Sequence, residues 1–258
     1  MSVQFEPEVL LRRFVSAADT AGFRVIEYGS VGGIPLLAAE LSPVSPKMSV
    51  YLSAGIHGDE PAGTLALFTL MSQRWFDADI AWHVLPLLNP LGMKAGTREA
   101  PGGIDLNRDY RALRAPETRA HKAWISHANS RYDVALALHE DWESKGFYLY
   151  ELLKPPCPDF GYSILQAVEP VIDIDCSPEI DGFPARNGLL RPHADDSLET
   201  VDEWPEQLYL RQNNTSASLT FETPSSFPIE SRVMAHVVAV KTAINLLLAP
   251  RIENTFEI

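Results

Sequence analysis

His57 and Glu60 stand three residues apart in the segment His57-Gly58-Asp59-Glu60. The segment lies between an apolar, β-favouring run (residues 50–56) and a helical pattern that opens on Pro61. An imidazole and a carboxylate on one tight turn can reach a single cation, and zinc takes such nitrogen and oxygen ligands. The segment also admits a plainer reading. Asp59 or Glu60 would cap the helix that follows and favour its positive end, and His57 would be an ordinary loop histidine. A second histidine, His139, closes the apolar run of residues 133–138. That run suits a central parallel strand covered on both faces, so His139 is expected at a carboxyl end, as His57 is. Open α/β sheets place their ligands in that crevice.

The elements that must position these residues follow from the patterning. Residues 6–21 carry helical apolar spacing with Gly22 as a stop. Two strands, 23–29 and 34–41, flank Ser30-Val31-Gly32-Gly33 and predict a hairpin. The strand and helix around His57 come next, then a strand over 79–88 that ends at Asn89-Pro90. Pro116-Glu117-Thr118 opens a helix through Trp124 and Ile125, and residues 146–152 make a further strand. Residues 218–221 make a strand leading to Glu222, and residues 229–248 a closing helix. Alternating strands and helices in 258 residues predict an α/β fold as a single domain over 1–258.

Two stretches resist this patterning. Residues 89–114 are polar and glycine-rich and read as a long irregular loop. In an otherwise acidic chain that loop holds Arg98, Arg108, Arg111 and Arg114; the last two read as solvated. Arg98 and Arg108, beside glycines and Asn107, suggest a shaped pocket for an anion, since the planar guanidinium suits a carboxylate. Residues 155–215 are proline-rich, acidic and weakly periodic; His193 lies there without a pairing residue.

The net charge of −13 argues against nucleic acid as a partner. The N-terminal residues lack the pattern of a secretion signal, and no apolar run reads as spanning a bilayer, because the C-terminal one carries Lys241. Cys157 and Cys176 have no zinc-ribbon spacing and read as free thiols of a cytoplasmic protein.

Seven short motifs, in order, resemble the carboxypeptidase A-like zinc metallopeptidases. That group includes the murein peptide amidases and the succinylglutamate desuccinylase/aspartoacylase branch. The motifs are HGDE at 57–60, NPLG at 89–92, TR at 97–98, DLNR at 105–108, PET at 116–118, LHE at 138–140 and FETP at 221–224. The resemblance implies a three-layer α/β/α sandwich around a mixed, roughly eight-stranded sheet. It implies one zinc ion on His57, Glu60 and His139, with Arg98 polarising the scissile carbonyl. Asn107 and Arg108 would hold a substrate carboxylate, Glu222 would be the general base, and Asp105 would order the loop. Many relatives carry a mobile loop tyrosine before the base; here the only tyrosine between Tyr162 and Glu222 is Tyr209, a departure from that pattern.

The implied activity is hydrolysis of an amide next to a free carboxylate, on a small peptide. The alternative is deacylation of an N-acyl amino acid, as in the aspartoacylase branch. Thirty-six residues follow Glu222, too few for that branch's usual β-rich C-terminal extension. A non-catalytic zinc-binding relative is the third reading.

Overall fold

The computed structural model describes residues 5–128, 131–154, 157, 159–192, 203–212 and 215–249; His193 lies outside them. Helix α1 (Pro7–Thr20) leads into the hairpin of β1 (Arg24–Val31) and β2 (Ile34–Leu41). Gly32 and Gly33 both take positive φ in its turn, the twist that a tight hairpin needs. Then follow β3 (Ser49–Ala54), α2 (Pro61–Ser72), β4 (Ala81–Leu85), α3 (Pro90–Ala95), a single 3₁₀ turn (Leu106–Arg108) and α4 (Pro116–Ala128). The second half holds β5 (Val134–Asp141), β6 (Tyr148–Leu153), α5 (Gly161–Val168) and three short strands, β7 (Glu179–Ile180), β8 (Phe183–Arg186) and β9 (Leu189–Leu190). It ends with α6 (Glu206–Gln212), β10 (Ala217–Pro224) and α7 (Ile229–Leu248).

The described strands form one mixed sheet of ten, in the order β1-β2-β4-β3-β5-β10-β6-β9-β8-β7. The expected count of eight is exceeded because β7, β8 and β9 are two to four residues long, too short to leave a periodic trace in the sequence. Four strands at the centre, β4, β3, β5 and β10, run parallel. They are continuous apolar runs because both faces are covered. Val50, Leu52 and Ala54 of β3 join one core with α2 and α7, while Tyr51 joins another with Trp124 of α4 and Tyr209 of α6. The same alternation sends Val134, Leu136 and Leu138 of β5 to the first core and Ala135 to the second.

Three expectations change. His139 lies inside β5, two residues before its end, and Glu222 lies inside β10, because the parallel pairing of β5 and β10 continues through Pro224 and Asp141. The polar stretch 89–114 contains α3 and the 3₁₀ turn, each started by a side-chain cap, Asn89 and Asp105. Helix α7, at 20 residues, is long and apolar enough to cross a membrane by length and composition. Its buried positions, among them Ala235, Val240 and Ile244, belong to the core shared with α2 and α5.

One close approach fixes the layout of the loops. A Cβ on Gly58 would fall 2.0 Å from the carbonyl carbon of Gly92 and 2.1 Å from the nitrogen of Met93. The turn after β3 therefore rests backbone to backbone on α3. Gly58 also donates its N–H to the carbonyl of Arg98 at 3.3 Å. Gly58→Ala should destabilise the protein by about 3 kcal/mol, since the neighbouring atoms are main chain and cannot rotate away. Gly33→Ala, with φ +78 and open space around it, should lose only about 1 kcal/mol from backbone strain. Urea unfolding of both variants checks the ranking; equal losses would contradict it.

Candidate metal centre

Because β4, β3, β5 and β10 are parallel neighbours, the chain after or at each carboxyl end meets along one edge of the sheet. Asn89 follows β4, His57 follows β3, His139 belongs to β5 and Glu222 to β10. His139 and Glu222 are register partners across the β5–β10 pair. Side chains at paired positions share a face, so both belong to the face covered by α4 and α6.

Glu60 is the centre of the cluster and is 4% exposed. One carboxylate oxygen lies 2.6 Å from Nδ1 of His57, and the other 3.0 Å from Nδ1 of His139. The second oxygen also accepts the backbone N–H of Glu140 at 3.1 Å. Burial opposes ionisation of Glu60, but the two imidazoles outweigh it and hold the carboxyl far below its ordinary range. Burial lowers the pKa of His57 too, yet Glu60 and Asp105 prevail and push it up to about 9. His139 stays below its ordinary value because burial dominates there.

The donor set fits a metal ion. One ligand atom from each of His57, Glu60 and His139 can be chosen so that all lie within 4.8 Å of one another, and all three residues are buried. Two imidazoles and a carboxylate are a donor set that zinc takes. Around them the second layer is built in. Glu140 accepts the N–H of Ala62 at 2.7 Å and pairs with Arg232, tying β5 to the first turn of α2 and to α7. Such outer partners orient ligands.

The polar loop supplies the remaining groups. Asp105 accepts from Arg98 Nε and Nη2, each at 3.1 Å, and from the N–H of Asn107 at 2.8 Å. It also meets Nε2 of His57 at 3.3 Å. Asp105 thus orders the loop, as its type and place suggested. Arg98 sits with Nη1 3.5 Å from Glu60. Arg108 donates Nη1 to the carbonyl of Asn107 at 2.9 Å. The Glu222 carboxyl is pushed well above the ordinary carboxylate range by burial and by the negative charges of Glu60, Asp141 and Asp181. The tyrosine in question, Tyr209, lies in α6 rather than in a loop, and its ring stacks on Tyr110 with centroids 5.5 Å apart. Cys157 and Cys176 are not joined in a disulfide.

One participant in this region leaves little trace in the sequence. Glu206 opens α6 and is 1% exposed. Its carboxyl group accepts from Tyr51 at 2.5 Å and Ser53 at 2.9 Å, and its own N–H donates to Oδ1 of Asn107 at 2.9 Å. Burial raises its pKa to about 7, against the two hydroxyl donors and His57. The only sequence cue is Pro205 before it, a helix-opening residue inside an unpatterned stretch.

Comparison with known proteins gives a consistent picture. The profile of the succinylglutamate desuccinylase/aspartoacylase catalytic domain matches residues 46–168. The chain is 27% identical over 165 residues to carboxypeptidase SOL1 of Arabidopsis thaliana, covering 50% of this chain and 32% of that protein. It is 33% identical over 111 residues to murein peptide amidase A of Escherichia coli strain K12, covering 42% of this chain and 44% of that protein. The chain therefore spans under half the length of these relatives. Among solved structures, a provisionally named metallopeptidase of Shewanella amazonensis superposes with a TM-score of 0.79 at 24% identity, covering 94% of each chain. A metallo-carboxypeptidase of Burkholderia cenocepacia gives 0.66 at 19% identity, over 91% of this chain and 67% of that one. These likenesses carry the fold, and the profile match spans the segments that hold His57, Glu60, Arg98 and His139. With the ordered motifs and this architecture, they make the chain similar to the zinc carboxypeptidase-like proteins over its central segments.

Proposed function

We propose that the protein is a zinc-dependent hydrolase that cleaves an amide bond next to a free carboxylate. The observation that carries this reading is the buried His57–Glu60–His139 cluster with Glu222 in register beside it. His57, Glu60 and His139 would hold one zinc ion. Bound there, zinc supplies Lewis-acid chemistry, acidifying water and polarising a carbonyl.

The chain's own groups divide the remaining work. Glu222 takes a proton from water and returns it to the leaving amine; a dication nearby would favour its ionised form over the neutral one that burial favours. Arg98, steadied by Asp105, presents positive charge where the carbonyl oxygen becomes negative. Asn107 and Arg108 hold the substrate's carboxylate by charge-assisted hydrogen bonds. Small peptides fit this scheme, as the resemblance to the murein amidase suggests. N-acyl amino acids fit it equally, and the profile match over residues 46–168 favours keeping them as the second substrate class. Turnover of peptides and of N-acyl amino acids, measured side by side, separates the two.

Three measurements test the reading. Metal analysis after zinc loading should find about one zinc per chain in the wild type and little in His139→Ala, because removal of one of three protein ligands leaves the site incomplete. Equal metal in both would remove the proposed centre. Glu222→Gln should keep its zinc and lose at least about a hundredfold in kcat, the scale of general base catalysis; an active variant would require another base. Arg108→Ala should raise KM for free-carboxylate substrates by about tenfold or more while leaving their amidated counterparts nearly unchanged. Equal effects on both would refute carboxylate anchoring.

A further inference from the structure

The proposed carboxylate-binding loop does not stand on its own. Residues 204–206 lie alongside residues 107–110. The N–H of Tyr110 donates to the carbonyl of Trp204 at 3.3 Å, and Asp109 forms a bridge with Trp204. Asn107 is fixed at both ends of this contact. Its backbone N–H is held by Asp105, and its side-chain oxygen accepts the N–H of Glu206. An amide side chain can meet an N–H only with its oxygen. That contact therefore fixes the orientation of the Asn107 amide and leaves its NH2 as the free end, without a protein partner among the described residues.

Glu206 itself is anchored from the other side. Its carboxyl group is held by Tyr51 and Ser53, two positions of β3 on the face opposite the α2–α7 core. Tyr51 also meets Nε2 of His121 at 2.9 Å, and Tyr110 meets Nδ1 of the same ring at 2.6 Å. The network thus ties β3, α4, α6 and the 107–110 segment into one buried polar unit. No cation pairs with Glu206 there among the described residues. Leaving a hydroxyl donor buried without its acceptor is costly, so the unit holds together as a whole.

We propose that Glu206 is a positioning residue: anchored on Tyr51 and Ser53, it holds the start of α6 so that its N–H claims the Asn107 oxygen and turns the Asn107 NH2 toward a substrate carboxylate. The inference rests on the carboxylate-binding role proposed above for Asn107. It adds that the stereochemical choice between the oxygen and the NH2 is made from outside the loop, by a residue about a hundred positions later. An inverted amide would present an oxygen to a carboxylate and repel it.

The test uses the zinc-loaded full chain with 15N-labelled asparagine and three variants, Glu206→Ala, Glu206→Gln and Tyr51→Phe. The Asn107 NH2 signals are identified by their loss in Asn107→Ala. The probes are an N-acetyl dipeptide with a free terminal carboxylate and its C-terminal amide. In Glu206→Ala the Asn107 NH2 signals should shift or broaden before any peptide is added, and KM for the free acid should rise about tenfold with kcat within about twofold. Glu206→Gln, which keeps the shape and an acceptor, should restore both. Tyr51→Phe, which keeps the backbone anchor but removes one hydroxyl, should fall between them and replaces the alanine variant if that one does not fold. Unchanged Asn107 signals and an unchanged KM in folded Glu206→Ala would overturn the proposal. So would an equal loss on the free acid and the amide, which marks a merely structural role. If wild type itself does not distinguish acid from amide, the carboxylate-binding reading falls. The Asn107 signals of the peptide-free variants then decide on their own whether Glu206 orients the amide.

Discussion

A carboxylate almost wholly removed from water must be met by positive charge or by donors, and Glu60 is that carboxylate here. It sits 4% exposed, with an imidazole on each oxygen, a main-chain N–H on the second and the Arg98 guanidinium at the edge. Isolated, such a group would be neutral rather than charged. The partners that keep it ionised come from three elements: the β3–α2 turn, β5 and the loop after α3. Holding those elements at hydrogen-bond distance from one side chain dictates much of the architecture. It explains the parallel centre of the sheet, the Gly58–Gly92 contact and the capping of α3 by Asn89, whose Oδ1 takes the N–H of Gly92 and whose Nδ2 reaches the carbonyl of Arg98.

The same edge carries a second, quieter polar centre. Glu206, Tyr51, Ser53, His121 and Tyr110 are linked by hydrogen bonds beneath the loop that carries Asn107 and Arg108. The two centres differ in character. Around Glu60 the partners are basic, a donor set suited to a dication. Around Glu206 they are hydroxyls, and the group's pKa drifts up to about 7 because burial outweighs those hydroxyl donors and the charge of His57. One centre is chemical in type, the other architectural, and strand β3 is shared by both.

How much of this could be read from the sequence depends on how each residue is encoded. Residues 133–138 and 218–221 announce β5 and β10 because strands covered on both faces are apolar throughout. The α7 boundaries match because an isolated helical period has little competition. His57, Glu60 and His139 were legible because each sits where a strong local pattern stops, and their motifs occur in order. Glu206 was not, because what makes it matter is contact with Tyr51, Ser53 and Asn107, which are 155, 153 and 99 positions away. The short strands β7, β8 and β9 escape for a related reason: two to four residues cannot display a period. Tyr209 has the residue type of a mobile loop tyrosine, yet it is packed in α6 against Tyr110; type without partners misleads.

The ten-strand width of the described sheet has a further meaning. The four parallel strands at its middle each answer to Glu60, Asn89, His139 or Glu222, so their sequence is constrained from both faces and at the tip. The β9-β8-β7 margin is different. It is short, it hangs on β6 through two register pairs, and Phe183 and Asp181 at its hairpin are exposed. Yet Tyr150 reaches that hairpin from β6 by a hydrogen bond to Asp181, and the charge of Asp181 is felt at Glu222. Substitutions along this margin can alter what surrounds Glu222 without disturbing the strand that carries it. The margin can thus vary in sequence while the central strands and the His57–Glu60–His139 cluster stay in place.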